Sequence, residues 1–126
     1  MGHPTIYPTG VTVYNPEKCW NGFTIFQALE VGAVLMNMNG RENKVWKGVH
    51  GFPNKIFPGG YLMTSRGSRD GRYGVQDGLD LVQIDWDGNV VWKFDRNEYI
   101  EDPGIPGRWM ARSHHDYQRE GSTTGY

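Results

Sequence analysis

Short stretches of alternating apolar and polar residues, separated by glycine and proline turns, follow one another along the chain. The clearest pattern occurs twice: residues 34–47 and 82–93 each hold an apolar strand, an Asn-Gly or Asp-Gly pair, and a second strand with a tryptophan. Such a pair between alternating strands is typical of a β-hairpin, because its glycine accepts a positive φ. The turn glycines, Gly40 and Gly88, are 48 residues apart, but Trp46 and Trp92 are 46 apart. The repeat therefore predicts two related hairpins, with two extra residues in the first.

Two further strand candidates precede each hairpin, at 11–14 and 23–26 in the first copy and at 54–57 and 61–65 in the second. Four short strands in about 47 residues make one blade of a β-propeller. No segment keeps a helical period, and glycine or proline interrupts nearly every window. The sequence therefore predicts an all-β chain with little helix.

The blade hypothesis divides the chain into three parts. We expect blade one with its lead-in at 1–49, blade two at 50–94, and a long loop with the start of a third blade at 95–126. A second long loop, 66–80, lies inside blade two. Propellers use about 4–8 blades, so about two blades and a fragment do not close a ring. We expect a further segment, another chain or a homo-oligomer to supply the remaining blades.

Composition agrees with a folded, turn-rich β-protein. The 126 residues include 18 Gly, 7 Pro, 5 Trp, 7 Tyr and 5 Phe. A formal net charge of −1 argues against nucleic-acid binding and against a polybasic membrane anchor. The single cysteine, Cys19, cannot form an intrachain disulfide, and no apolar run approaches the length of a membrane-spanning helix. The first residues carry no secretory signal, which we expect to be absent or already removed.

One polar cluster has a clear chemical use: Ser113-His114-His115-Asp116, flanked by Arg112 and Arg119. Neighbouring side chains on a strand point to opposite faces, so Asp116 is predicted to lie on the face of His114 and to orient its imidazole. The cluster has three interpretations: a structural surface pair, an anion or substrate site, or a metal site. No third and fourth ligand at a recognisable spacing support a metal.

His50 strengthens the interpretation of a binding site. It lies at the start of the second predicted blade, as His114 and His115 lie at the start of the third, and the first strand of each propeller blade lines the central channel. We therefore expect these histidines to converge on one axis. Four arginines offer guanidinium groups to a sulfate, phosphate or carboxylate, or lie solvated on the surface: Arg66, Arg69, Arg112 and Arg119.

Several stretches resemble the amino-terminal part of the bacterial arylsulfotransferase (aryl-sulfate sulfotransferase) family. They are residues 10–18 (GVTVYNPEK), 21–24 (NGFT), 38–40 (MNG), 57–60 (FPGG) and 114–116 (HHD). The resemblance implies a six-bladed propeller that moves a sulfuryl group between phenols through a sulfated histidine, without a nucleotide donor or other cofactor. It also implies a periplasmic or secreted location, although the chain shows no signal peptide and a cytoplasmic location stays open.

The resemblance also assigns roles to residues. His114 and His115 match the family pattern, so one of them is implied to bind the sulfate or stabilise the transition state. His50, Arg112, Asp116 and Arg119 complete the predicted substrate site, with no metal. The nucleophilic histidine of the family lies in a later blade than this sequence reaches. Two other classes stay open: a non-catalytic propeller module for assembly or partner binding, and a metal-assisted lyase or hydrolase using the two histidines and Asp116.

Overall fold

A computed structural model describes residues 3–4, 11–74 and 77–118, and antiparallel strands dominate these ranges. One sheet of three strands and one of four form the body, accompanied by two two-stranded ladders. The described elements are β1 (His3–Pro4), β2 (Val13–Tyr14), β3 (Phe23–Ala28), β4 (Gly32–Asn37), β5 (Glu42–Lys47), β6 (Lys55–Phe57), β7 (Tyr61–Thr64), α1 (Gly71–Gly74), β8 (Val82–Ile84), β9 (Val90–Lys93), β10 (Glu98–Asp102) and β11 (Ile105–Met110). The predicted all-β class is confirmed.

The first sheet pairs β3, β4 and β5 antiparallel in chain order. The prediction of a fourth strand at 11–14 in this sheet is wrong, because β2 pairs with β1 instead. Asn15 turns the chain directly after β2. Its backbone carbonyl accepts the N–H of Lys18 at 3.1 Å, and its side-chain oxygen accepts the N–H of Glu17 at 3.1 Å.

The second sheet has the four strands that the sequence predicted. Strands β6, β7, β8 and β9 pair antiparallel in chain order. Pro58-Gly59-Gly60 connects β6 to β7, with φ values of 87° at Gly59 and 79° at Gly60 that suit glycine. The connection from β7 to β8 is the predicted long charged loop, which contains α1.

The two repeated hairpins have the same turn. The side-chain oxygen of Asn37 accepts the backbone N–H groups two and four residues later, both at 3.0 Å. The side-chain oxygen of Asp85 does the same at 2.9 and 2.8 Å. Each ladder then contains one bulged residue that the partner strand skips, Asn43 in the first and Val91 in the second. The backbone repeat thus extends through turn and bulge.

This common register corrects the predicted alignment of the tryptophans. Trp92 occupies in the second ladder the position that Lys44 occupies in the first. Trp46 pairs with Ala33. The corresponding place in the second unit belongs to Phe94, whose backbone N–H donates to the carbonyl of Leu81 at 2.9 Å. The predicted two-residue insertion is therefore wrong, and the hairpins repeat without a gap.

Both sheets contribute to one apolar core. Its buried members are Ala33, Leu35, Trp46, Val49, Leu62, Val82 and Ile84. Trp46 is 3% exposed, and its indole N–H donates to the carbonyl of Asp85 across the two sheets at 3.2 Å. Trp86 meets Trp46 edge to face but is 41% exposed, and Trp92 is half-buried. Of these three tryptophans, Trp46 alone is fully enclosed.

A third hairpin lies in the segment 95–126, where the sequence predicted a long loop before the start of a third blade. Strands β10 and β11 pair from Glu98 opposite Met110 to Asp102 opposite Ile105. Pro103-Gly104 forms the turn, with Gly104 at a φ of 77°, as a Pro-Gly pair in the centre of a type II turn requires. The loop prediction is therefore wrong for 98–110, because Pro103-Gly104 is a tight turn between two paired strands. Within the described ranges, no helix is long and apolar enough to cross a membrane.

Candidate functional site

The site is built on an irregular three-stranded ladder outside the named strands. The segment 77–79 lies between 67–69 and 111–113 and hydrogen-bonds to both. On one side, the N–H of Leu79 donates to the carbonyl of Gly67 at 3.0 Å. On the other side, the N–H of Gly78 donates to the carbonyl of Ser113 at 2.7 Å. The ladder thus brings the charged loop of the second sheet beside the segment that carries the two histidines.

An aspartate and a histidine meet on this ladder. Nδ1 of His114 lies 2.7 Å from Oδ1 of Asp77. The Asp77 side chain is 11% exposed and the His114 side chain 44% exposed. An ionised carboxylate only accepts hydrogen bonds, so Nδ1 carries the proton and Nε2 is the basic nitrogen of the neutral ring. The carboxylate therefore fixes the orientation of the imidazole and leaves Nε2 to contact a ligand.

Two arginines approach the same carboxylate. Nη1 of Arg69 lies 3.2 Å from Oδ2 of Asp77, and Nε of Arg112 lies 3.8 Å from that oxygen. Arg69 also binds Asp102 through two nitrogens, and its side chain is 18% exposed. The side chain of Arg112 is 43% exposed, and its Nη1 pairs with Oε2 of Glu98 at 2.9 Å. Arg69 is thus committed to the framework, whereas Arg112 stays accessible to a ligand.

These contacts set the charge state of Asp77. Burial favours the neutral acid, but hydrogen bonds from His114 and Arg69 outweigh it and hold the pKa of the Asp77 carboxyl below its usual value. The hydrogen bond from Arg69 likewise lowers the pKa of Asp102. Asp77 is therefore an anion at neutral pH.

His115 does not point away from His114 as strand alternation predicted. The two rings meet edge to face with centroids 4.2 Å apart, and Phe52 lies 5.6 Å from the ring of His115. The prediction is wrong because the chain turns here: His115 has a φ of 64°, and the N–H of Asp116 donates to the carbonyl of His114 at 2.8 Å. This three-residue turn places both imidazoles on one side.

Asp116 does not orient His114, contrary to the prediction. Its carboxylate pairs with Nζ of Lys55 at 2.7 Å, and Lys55 also donates to the carbonyl of Tyr117 at 2.6 Å. The hydrogen bond from Lys55 lowers the pKa of Asp116. The same anchor includes Tyr117, whose hydroxyl hydrogen bonds to the carbonyl of Pro53. Asp116 therefore fixes the histidine segment to β6.

His50 and Arg66 contact groups other than Asp77 and His114. His50 lines a separate shallow pocket of about 200 Å³ with Gln27 and Glu30, and its backbone N–H donates to Ser65 at 2.6 Å. Among the described residues, no hydrogen bond or ring contact joins its imidazole to His114 or His115. Arg66 is paired with Asp80 at 2.8 Å. Arg119 lies outside the described residues.

Sequence reasoning did not single out Asp77 and Arg69 as partners of the histidines. Both lie in the 66–80 loop, which the sequence predicted only as a long loop inside blade two. Their pairing with residues 33 to 37 positions later depends on the ladder between 77–79 and 111–113. Residue spacing carries no signal for such an irregular ladder.

In residues 11–74 and 77–118, no group of three or more His, Cys, Asp or Glu side chains is arranged to hold a metal ion. The fold and the site define an all-β protein with an aspartate-oriented histidine beside an accessible arginine. Comparison with protein-family models, curated proteins and solved structures gives no match.

Proposed function

We propose that this chain forms part of the site of an arylsulfotransferase-like enzyme, which transfers a sulfuryl group between phenolic compounds. The observation that carries the proposal is the 2.7 Å contact between Asp77 and Nδ1 of His114, with the guanidinium of Arg112 beside it. An oriented imidazole and an accessible guanidinium suit a sulfate ester, whose sulfuryl oxygens must be bound while the ester oxygen leaves. The sequence resemblance supports sulfate over other oxyanions.

The proposed chemistry divides the work between His114 and Arg112. The ester S–O bond breaks, the sulfuryl group passes to the accepting nucleophile, and the departing phenolate takes a proton. In its protonated form, His114 donates Nε2–H to that phenolate or to a sulfuryl oxygen. Asp77 stabilises the imidazolium through Nδ1–H, and Arg112 donates to the sulfuryl oxygens. His115 packs against His114 and closes one side of the site.

The packing of the two sheets supports a propeller as the framework. The face of the first sheet that carries Leu35 and Trp46 packs on the face of the second that carries Val82 and Ile84. By the common register, Gln83 is the counterpart of Leu35. Gln83 lies on the face of the second sheet opposite to Val82 and Ile84. The second sheet therefore has a face equivalent to the one by which the first sheet packs on it, as each blade of a stack does. We propose that further blades, from another segment or chain, complete the ring.

A non-catalytic assembly module is the second candidate. Tyr99 and Trp109 lie opposite each other on the β10–β11 hairpin, in edge-to-face contact at 5.5 Å. They are 49% and 65% exposed. An exposed aromatic pair of this kind favours contact with another protein surface.

The test is an assay of the completed ring, with the further blades present, using 4-nitrophenyl sulfate as donor and phenol as acceptor. We expect His114→Ala to lower kcat by a factor of about 10²–10³, as loss of one preorganised donor does. Asp77→Asn is expected to lower kcat as well. Asp70→Asn is the matched control, because Asp70 lies in the same loop and pairs with Arg72 at 2.9 Å, away from His114. Full activity of His114→Ala in the completed ring, or no transfer by the unmodified ring, would contradict the proposal.

A further inference from the structure

A second pocket, of about 410 Å³, lies at the end of the first sheet where β3 begins and β4 ends. Phe23 and Asn37 face each other across these strand ends. The polar and aromatic residues that line the pocket are Tyr14, Asn21, Phe23, Asn37, Asn39 and Asn43. This pocket is separate from the Asp77–His114 pair, and its interpretation does not depend on the proposed sulfuryl transfer.

The described lining of the pocket is rich in carboxamides and contains no charged side chain. Four asparagines contribute both N–H donors and C=O acceptors, and none of the described lining residues carries a charged side chain. The ring of Phe23 is 63% exposed at the edge of the pocket. Anions select cationic linings and metal ions select carboxylates, so neither ligand class suits this composition.

Turn formation accounts for only one of the four asparagines. Asn37 is needed by the hairpin, because its side-chain oxygen accepts two backbone N–H groups. Within the described part of the chain, the side-chain amides of Asn21, Asn39 and Asn43 have no hydrogen-bond partner. Three unpaired carboxamides around one pocket are available to a ligand.

A β-bulge in the backbone sets the direction of one of these side chains, that of Asn43. Asn43 is the bulged residue of the β4–β5 ladder, and a bulge changes the direction of the side chain it carries. The second hairpin has the same bulge with Val91 at this position, and Asp87 where the first has Asn39. The fold therefore does not require an amide at either place.

We propose that this pocket binds a neutral carbohydrate. Sugar hydroxyls donate and accept hydrogen bonds, so adjacent hydroxyls match both ends of a carboxamide. The C–H face of a pyranose ring is apolar and packs on an exposed aromatic ring such as Phe23. Shallow, uncharged pockets with one aromatic face suit a segment of an oligosaccharide.

The experiment uses isothermal titration calorimetry of the protein with maltohexaose, cellohexaose and laminarihexaose, and with a chondroitin sulfate hexasaccharide as the charged probe. We expect at least one neutral hexasaccharide to bind. Asn43→Ala and Phe23→Ala should each weaken that binding about tenfold, the cost of roughly one lost hydrogen bond or contact. Val91→Ala, the same truncation at the equivalent bulge, should leave it unchanged.

Three results would overturn the proposal. The first is no binding of any neutral probe. The second is an equal loss in Asn43→Ala and Val91→Ala. The third is tighter binding of the sulfated probe that Phe23→Ala does not affect. Because Phe23 and Asn43 are exposed, both variants are expected to fold, and circular dichroism checks this.

Discussion

Burial in the second sheet extends over two neighbouring strands, β7 and β8, whereas in the first sheet it is concentrated in β4. Leu62, Met63, Val82 and Ile84 are all 2% exposed or less, whereas β3 beside β4 leaves Phe23 and Phe26 63% and 39% exposed. The second sheet has neighbours on two sides. The first sheet packs against its core residues, and the histidine segment contacts it through Lys55 and Tyr117.

This difference in burial separates two kinds of polar site. In the second unit, Asp77 and Asp80 are each 8% exposed, and both are paired with arginines. A buried carboxylate requires such partners, so these residues form a rigid network. In the first unit, exposed asparagines can stay without protein partners because water solvates them. One backbone repeat thus supports a fixed charged site in one unit and an open neutral pocket in the other.

The largest expected effect tests the corrected register. Trp46→Ala should reduce the free energy of unfolding by about 3–5 kcal/mol, because it leaves a cavity between the two sheets. Trp92→Ala should cost clearly less, because Trp92 is half-buried and corresponds to Lys44 rather than to Trp46. Urea unfolding followed by far-ultraviolet circular dichroism measures both. Equal losses in the two variants would contradict the register.

The sequence was sufficient for the elements whose signals are local. The alternating strands and the Asn-Gly and Asp-Gly turns predicted β4, β5, β8 and β9 with their pairing. It failed for β2, which pairs with the nearby β1 although its spacing suited the first sheet. The alignment of the tryptophans failed because it matched residues by type, whereas the shared turn and bulge place Trp92 at the position of Lys44.

The candidate site was predicted in part for the same reason. His114 and His115 were identified by their residue type, and Arg112 by its place beside them. The assignment of Asp116 to His114 assumed a regular strand, and the positive φ of His115 breaks that assumption. The carboxylate that contacts His114 comes from a loop 37 residues earlier. Only the tertiary fold brings that loop into contact.

An intermediate effect tests the charged network of the second unit. Asp77→Ala should cost about 1–3 kcal/mol at pH 7, because Arg69 and Arg112 lose an acceptor near the surface of the core. The folded pKa of Asp77 is lowered, so its stabilising contribution is present above the ordinary aspartate pKa and is lost as the pH falls through the lowered value. Urea unfolding at pH 7 and pH 3 should therefore show a smaller difference between the variant and the unmodified protein at pH 3. An undiminished difference at pH 3 would show that Asp77 acts through packing rather than charge.

The smallest expected effect compares the two hairpin turns directly. Asp85→Asn gives the second turn the residue type that Asn37 supplies in the first, where a carboxamide oxygen accepts the same two backbone N–H groups. The thermal midpoint at pH 7 should change less than in any of the three preceding variants. Hydrogen bonds from Asn89 lower the pKa of Asp85, so its charged form stabilises the turn above the ordinary aspartate pKa, and this contribution disappears as the pH falls through the lowered pKa. The Asn variant does not titrate, so thermal unfolding between pH 7 and pH 2 should show a shallower loss of stability than in the unmodified protein. If the variant were unfolded at neutral pH, the two turns would not be interchangeable. The side-chain oxygen, which both residue types supply, would then not be the group that stabilises the hairpin.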